Sequence, residues 1–148
     1  MSKKKELLYD TFYIGQKIPR YTHTVTAEEI DNFCQNFKEN TPVYLADDAA
    51  KENGFPGRIA PPMMVRFYAH IQNVLTGFGG IVSGHSIQTS GEYEFLDIVR
   101  PGDTITTTGK IVDKYIKKQR KYICFELVSR NQHGEKIVVN RHTSIWPK

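Results

Sequence analysis

Five histidines and two cysteines are the side chains of this 148-residue chain suited to proton transfer, nucleophilic attack or metal binding. His85 follows Gly84 just ahead of a strand-rich stretch. A glycine-flanked loop sets side chains into clefts, which makes His85 a candidate acid or base, although no Asp stands at a recognisable distance from it. His70 lies beside an apolar helical stripe and is expected to pack there. His133 falls in a turn, while His23 and His142 fall in strands and can face either way. No His–His or His–carboxylate spacing suggests a metal site, and Cys34 and Cys124 lack the pairing of a zinc ligand set. Both thiols are expected to act as small apolar side chains. The chain carries neither a P-loop nor a dinucleotide glycine fingerprint.

The elements that must position these groups follow from hydrophobic period. Tyr21 to Val25 alternates as a strand does. Thr26 and Glu29 form a capping-box pair, and Ile30, Phe33, Cys34 and Phe37 continue as one helical stripe ending near Lys38, ahead of Pro42. Asp47 to Asn53 suits a short helix closed by Gly54. Met63 to Leu75 is the strongest helical segment. Met64, Phe67, Ile71, Val74 and Leu75 share a face that Met63, Tyr68 and Ala69 widen, so Phe67 and Ile71 are expected in the core. From Ser86 to Pro147 the period changes to two. Four long strands are expected as an antiparallel meander, with turns at Arg100–Asp103, at the basic run Lys114–Lys121 and at Asn131–Glu135. This order of elements is an α+β pattern, and no linker or repeat divides residues 1–148, so one domain is expected.

Two segments carry a resemblance, Glu39-Asn40-Thr41-Pro42-Val43-Tyr44 and Arg58-Ile59-Ala60-Pro61-Pro62-Met63-Met64. They resemble the active-site text of the MaoC-like (R)-specific enoyl-thioester hydratases and 3-hydroxyacyl dehydratases, where D-x-N-P-x-H is followed by I-A-H-G-M. Val99-Arg100-Pro101-Gly102-Asp103-Thr104 and Asn131-Gln132-His133-Gly134-Glu135 are similar to further motifs of that family, in the same order. The closer likeness is to its FAS1-like, or MaoC N-terminal, dehydratase domain. The resemblance implies a hot-dog fold, an antiparallel sheet wrapped around a central apolar helix. It implies an acyl thioester as substrate, with coenzyme A or acyl carrier protein as part of that substrate and no separate cofactor. It also implies a homo- or hetero-oligomer with another hot-dog chain.

The departures from the family's text bear on catalysis. Glu39 stands at the place of the Asp, Thr41 at that of the Asn, Tyr44 at that of the His, and Pro61-Pro62 replaces His-Gly. Hydration of a trans-2-enoyl thioester needs a base for water, a group that moves the α proton and an oxyanion donor. Glu39 can be a base, one methylene longer than Asp. Tyr44, with an ordinary pKa of about 10, is a neutral donor at pH 7. The expected reading is a subunit that lacks its own Asp–His pair and acts beside a catalytic hot dog, as in heterodimeric dehydratases of the mycobacterial type. The alternatives are an independent hydro-lyase built on Glu39, Tyr44 and His85, or an acyl-coenzyme A binder without turnover. Thr41, Ile59, Ala60, Pro61, Pro62 and Met63 are the expected substrate-binding wall, with Glu39 and Tyr44 at the pocket mouth.

Composition narrows the class of partner. Hydrophobic content of 39% and charged content of 24% fit a globular protein. No run approaches the ~20 apolar residues of a membrane span, and the basic start Met1–Lys5 precedes nothing long or apolar enough for a signal peptide. A cytoplasmic location and no membrane partner are therefore expected. The net charge of +4 sits largely in Lys3–Lys5, expected as a frayed terminus, and in Lys114–Lys121. Solvation accounts for both without a nucleic-acid partner.

Overall fold

A computed structural model describes residues 5–82 and 84–147. The strands are β1 (Lys5–Glu6), β2 (Lys17–Thr24), β3 (Gly80–Ile81), β4 (Ile87–Phe95), β5 (Thr104–Lys117), β6 (Arg120–Arg130) and β7 (Lys136–Trp146). The α-helices are α1 (Ala27–Phe37), α2 (Asp47–Glu52), α3 (Val65–Tyr68) and α4 (Ile71–Leu75). Strands β2, β5, β6, β7 and β4 form one antiparallel sheet in that spatial order, and β1 pairs with β3 in a small parallel ribbon. The expected run Lys3–Lys5 is described only at Lys5, which joins that ribbon; Lys3 and Lys4 lie outside the described residues.

Alternation builds the inner face of the sheet. Ile105 and Ile111 on β5, Ile123, Phe125 and Leu127 on β6, and Val138 and Trp146 on β7 are all buried. The helical segments cover them in two apolar clusters. Ile71, Val74 and Leu75 of α4 pack with Phe125, Leu127 and Trp146, while Met64, Val65 and Tyr68 pack with Ile30, Ile105 and Val138. A sheet curled over apolar helical segments is the α+β hot-dog arrangement expected from the sequence.

Two expectations need correction. The segment Met63–Leu75 is not one helix. Pro62–Met64 is a 3-10 turn, α3 follows, and His70 breaks the run with extended backbone (φ −83°, ψ 133°) before α4 begins. The break changes the helical phase, so the buried set is Met64, Val65, Tyr68, Ala69, Ile71, Val74 and Leu75. Phe67 is 38% exposed and Met63 62%. Nor are the last four strands a simple meander. Strands β5, β6 and β7 are, but β4 crosses to the far edge and pairs with β7, not with β5.

The expected basic turn is tighter than read. Strands β5 and β6 run on to Lys117 and Arg120, and Lys118 and Gln119 alone make the turn, both left-handed (φ 49° and 62°). That is the two-residue geometry matching the twist of a hairpin. The capping box of α1 forms as expected. Glu29 N–H donates to Thr26 Oγ1 and Thr26 N–H donates to Glu29 Oε2, both at 3.1 Å. No helix among the described residues is long and apolar enough to cross a membrane.

Candidate functional site

The site begins where α1 ends. Lys38 takes a left-handed conformation (φ 53°), and the Glu39 N–H then donates back to the Cys34 carbonyl at 2.8 Å. A non-glycine residue holds that conformation at a cost of about 1 kcal/mol, and it turns the chain sharply out of the helix. Glu39 is thereby released into the segment leading to Pro42–Tyr44, a single 3-10 turn with proline in its first position. Within that segment Thr41 donates its hydroxyl (2.5 Å) and its N–H (3.0 Å) to Oε1 of Glu39. Hydrogen bonds to the ionised form hold the Glu39 carboxyl below its ordinary pKa. Burial, and then the Glu39 charge, raises the pKa of Tyr44, so its phenol stays protonated.

The opposite wall is tied to the same helix. The Arg58 N–H donates to Asp47 Oδ1 at 2.9 Å, and the Arg58 guanidinium donates to Asp31 Oδ1 (2.7 Å) and to the Ala27 carbonyl (3.0 Å) of α1. Backbone bonds from Ile59 to Val43 (3.2 Å) and from Ala60 to Val99 (2.7 Å) fix the approach to Pro61. Pro61 is buried and Pro62 opens the turn before α3.

Glu39, Tyr44, Pro61, Pro62 and Met63 line one cavity of about 420 Å³, which Phe33, Phe37 and Arg66 complete. Its walls are largely apolar, with one carboxylate, one phenol and one guanidinium. Ile59 and Ala60 line an adjoining cavity of about 300 Å³ that shares Pro61 and Pro62 with the first. Thr41 lines neither; it acts on the site through Glu39. His85 is not brought to Glu39 and Tyr44. It is exposed and lines a different cavity, with Leu7, Gln72 and Leu75. Among the described residues no cluster of three or more His, Cys, Asp or Glu side chains is placed to hold a metal ion.

Three lining residues escaped the sequence reading. Phe33 and Phe37 read as core stripe, yet only Ile30 and Cys34 of that stripe are buried. Phe37 is 69% exposed, and its ring stands 4.6 Å from that of Phe33. The signal was positional: an aromatic at the last turn of a helix lies beside whatever follows, here Glu39. Arg66 left no signal in the sequence. It has no carboxylate partner among the described residues, and its Nη2 donates to His70 Nε2 at 3.0 Å. Gln72 N–H also approaches His70, at Nδ1 (3.3 Å). Burial and the Arg66 charge lower the pKa of His70, and a neutral imidazole accepts at only one nitrogen, so these two donors compete.

Comparisons with known proteins bear on this arrangement. Residues 13–140 match the family described as FAS1-like, dehydratase domain region. A UPF0336 protein of Saccharopolyspora erythraea is 22% identical over 140 residues, covering 92% of this chain and 90% of that protein. Among solved structures, the R-hydratase PhaJ1 of Pseudomonas aeruginosa superposes with a TM-score of 0.79 at 23% identity, covering 97% of this chain and 87% of that one. A chain of the HadBC (3R)-hydroxyacyl-ACP dehydratase complex of Mycobacterium tuberculosis superposes at 0.77 with 20% identity, covering 89% and 96%. What these structures share with this chain is the hot-dog fold.

Proposed function

This chain belongs to the FAS1-like dehydratase-region family, and from that premise we propose that it is the acyl-shaping subunit of a hydratase or dehydratase whose Asp–His pair comes from a second hot-dog chain. Its substrate is an acyl thioester, an enoyl or (3R)-hydroxyacyl group carried on coenzyme A or acyl carrier protein. The observation that carries the reading is the cavity lined by Glu39, Tyr44 and Pro61–Pro62. It is apolar enough for an acyl chain, includes no histidine in its lining, and holds one carboxylate whose Oε1 already accepts two bonds from Thr41. Such a cavity orients a chain and excludes water. By itself it lacks a group of suitable basicity to pass the second proton of a syn hydration.

The partner reading has support at the sheet edge. Every residue of β4 is exposed, including Ile87 (58%), Tyr93 (39%) and Phe95 (44%), and the strand's outer edge has no partner strand among the described residues. The outward-pointing backbone groups of an exposed nine-residue edge strand are a template for a strand from another chain. A second hot dog seated along β4 would lie beside Phe95, which lines the cavity holding Ile59 and Ala60.

The test is an enoyl-coenzyme A absorbance assay on the purified chain, alone and with hot-dog proteins co-purified from the native host. Background turnover alone, rising when the partner is added, is the expected result. The competing reading, an independent hydro-lyase, has one observation in its favour, the shared cavity of Glu39 and Tyr44. Turnover by the chain alone that Glu39→Gln lowers by about 10²–10⁴ would replace the proposal with that reading. Thioester binding without turnover in either state would leave an acyl-thioester binder.

A further inference from the structure

Tyr68 closes α3 and is only 2% exposed. Its backbone is fixed to the sheet: the Thr107 hydroxyl, itself 2.7 Å from that of Ser129, donates to the Tyr68 carbonyl at 2.7 Å. The ring packs with Met64, Val65 and Ile105. The Tyr68 hydroxyl, by contrast, makes no hydrogen bond to any described residue. The side-chain polar atoms that are both enclosed and unpaired belong to Arg58, Asn140 and His142. The Tyr68 hydroxyl is unpaired without being among them, so what little surface this residue keeps lies at its hydroxyl. Burial raises the pKa of Tyr68, which leaves a neutral phenol as the donor at pH 7.

The open space at that hydroxyl is the cavity of about 300 Å³ that Tyr68 lines with Ile59, Ala60, Phe95, Asp97 and Val99. Tyr68 supplies its side-chain donor. The N–H groups of Ile59, Ala60, Leu96, Asp97 and Ile98 are engaged within the fold, and Pro61 and Pro62 have none. Asp97 stands exposed at the mouth, just past β4, where its Oδ1 accepts the Ile98 N–H at 2.8 Å. Its carboxylate has no ion-pair partner among the described residues, and no Lys, Arg or His lines the cavity. A phosphate or a carboxylate would meet an unbalanced negative charge there. A neutral group fits, with an acceptor for the buried phenol and a donor for the carboxylate at the mouth. Pro62, which lines this cavity and the one holding Glu39 and Tyr44, is exposed. A ligand can therefore lie across both cavities over Pro62, with no enclosed passage to traverse.

We propose that Tyr68 donates a hydrogen bond to the thioester carbonyl oxygen of the ligand, whose acyl chain crosses Pro62 into the cavity of Phe33, Phe37 and Met63. The proposal rests on the acyl-thioester reading above and gives the substrate an orientation within it. The thioester carbonyl is an uncharged acceptor. The first amide of the carrier arm, two methylenes beyond the sulfur, brings the N–H donor that Asp97 can accept. At roughly 30 Å³ per water-sized group the cavity takes about ten such groups, enough for the thioester and that amide. The hydrocarbon goes to the cavity with the phenylalanines. A donor held at the carbonyl oxygen is also what enoyl hydration requires where negative charge gathers.

The experiment is calorimetric titration of the full chain, in the assembly in which it purifies, with octanoyl-coenzyme A and with S-octyl-coenzyme A, the thioether that lacks the carbonyl oxygen. The thioester is expected to bind about tenfold more tightly, about 1.4 kcal/mol, and Tyr68→Phe to reduce that ratio to about two or less by weakening thioester binding alone. Isotope-edited infrared spectra of the thioester carbonyl give a second readout. The stretch should move to lower frequency on binding to the wild type and not on binding to Tyr68→Phe. Because the hydroxyl has no partner in the fold, Tyr68→Phe should keep the urea midpoint of the wild type. A lowered midpoint would show that the hydroxyl is held structurally and overturn the proposal. Equal affinities for the two probes in the wild type, or a preference that survives Tyr68→Phe, would overturn it while leaving the acyl-thioester reading standing. Binding of neither probe would overturn both.

Discussion

Thr41 and Glu39 meet at a single atom: the threonine hydroxyl, at 2.5 Å, and the threonine N–H, at 3.0 Å, both donate to Oε1 of the carboxylate. The pair is local, two residues apart, and forms because α1 stops on a left-handed Lys38. It decides the chemical character of the site, since a carboxylate already supplied with donors is a weaker base than a free one.

Thr41→Val keeps the volume and removes the hydroxyl. Two-dimensional NMR titration of the Glu39 carboxyl should then show its pKa moving upward, toward the ordinary carboxylate value. No movement would mean that the hydroxyl contact does not persist in solution.

Phe67 and Ile71 should respond differently to truncation. Ile71 is buried beneath the sheet, and Ile71→Ala should cost about 2–5 kcal/mol. Phe67 is 38% exposed, its ring stacked near His23 and edge-on to Phe33, so Phe67→Ala should cost only about 1–2 kcal/mol. Urea midpoints of the two variants measure this, and the reverse order would restore an unbroken helix through residue 70.

His142 should make stability fall with acid. Its folded pKa, about 4, lies below the ordinary 6.5, so between those values the unfolded chain binds the extra proton. The contribution is complete above about pH 6.5, is lost as pH falls toward 4, and amounts to roughly 3 kcal/mol. Denaturant unfolding of wild type and His142→Phe across that range should show the wild type losing more. Parallel curves would mean that the ring is not held neutral.

Assembly should depend on β4. The chain should be a dimer or larger by light scattering at micromolar concentration, and Ile87→Lys, which sets a charge on an exposed edge position, should shift it toward monomer. A monomeric wild type would remove β4 as the assembly edge.

Elements whose signals are local are legible in the amino-acid order. The Thr26–Glu29 capping box, the alternation of Ile123, Phe125 and Leu127, and the glycine of the Asn131–Glu135 hairpin each act over a few residues, and each is where the pattern put it. The family text likewise placed Glu39, Tyr44 and Pro61–Met63 together, because short tethers to α1 leave those segments little choice. The remaining features depend on contacts between residues far apart in the chain. A periodic count cannot register that His70 breaks the helix, since the break depends on packing of both halves against the sheet, and so the period alone assigns Phe67 to the core. Strand pairing is non-local, and nothing in the period of β4 says that its neighbour is β7. Only that pairing sets Gly91 opposite His142 and Tyr93 opposite Asn140.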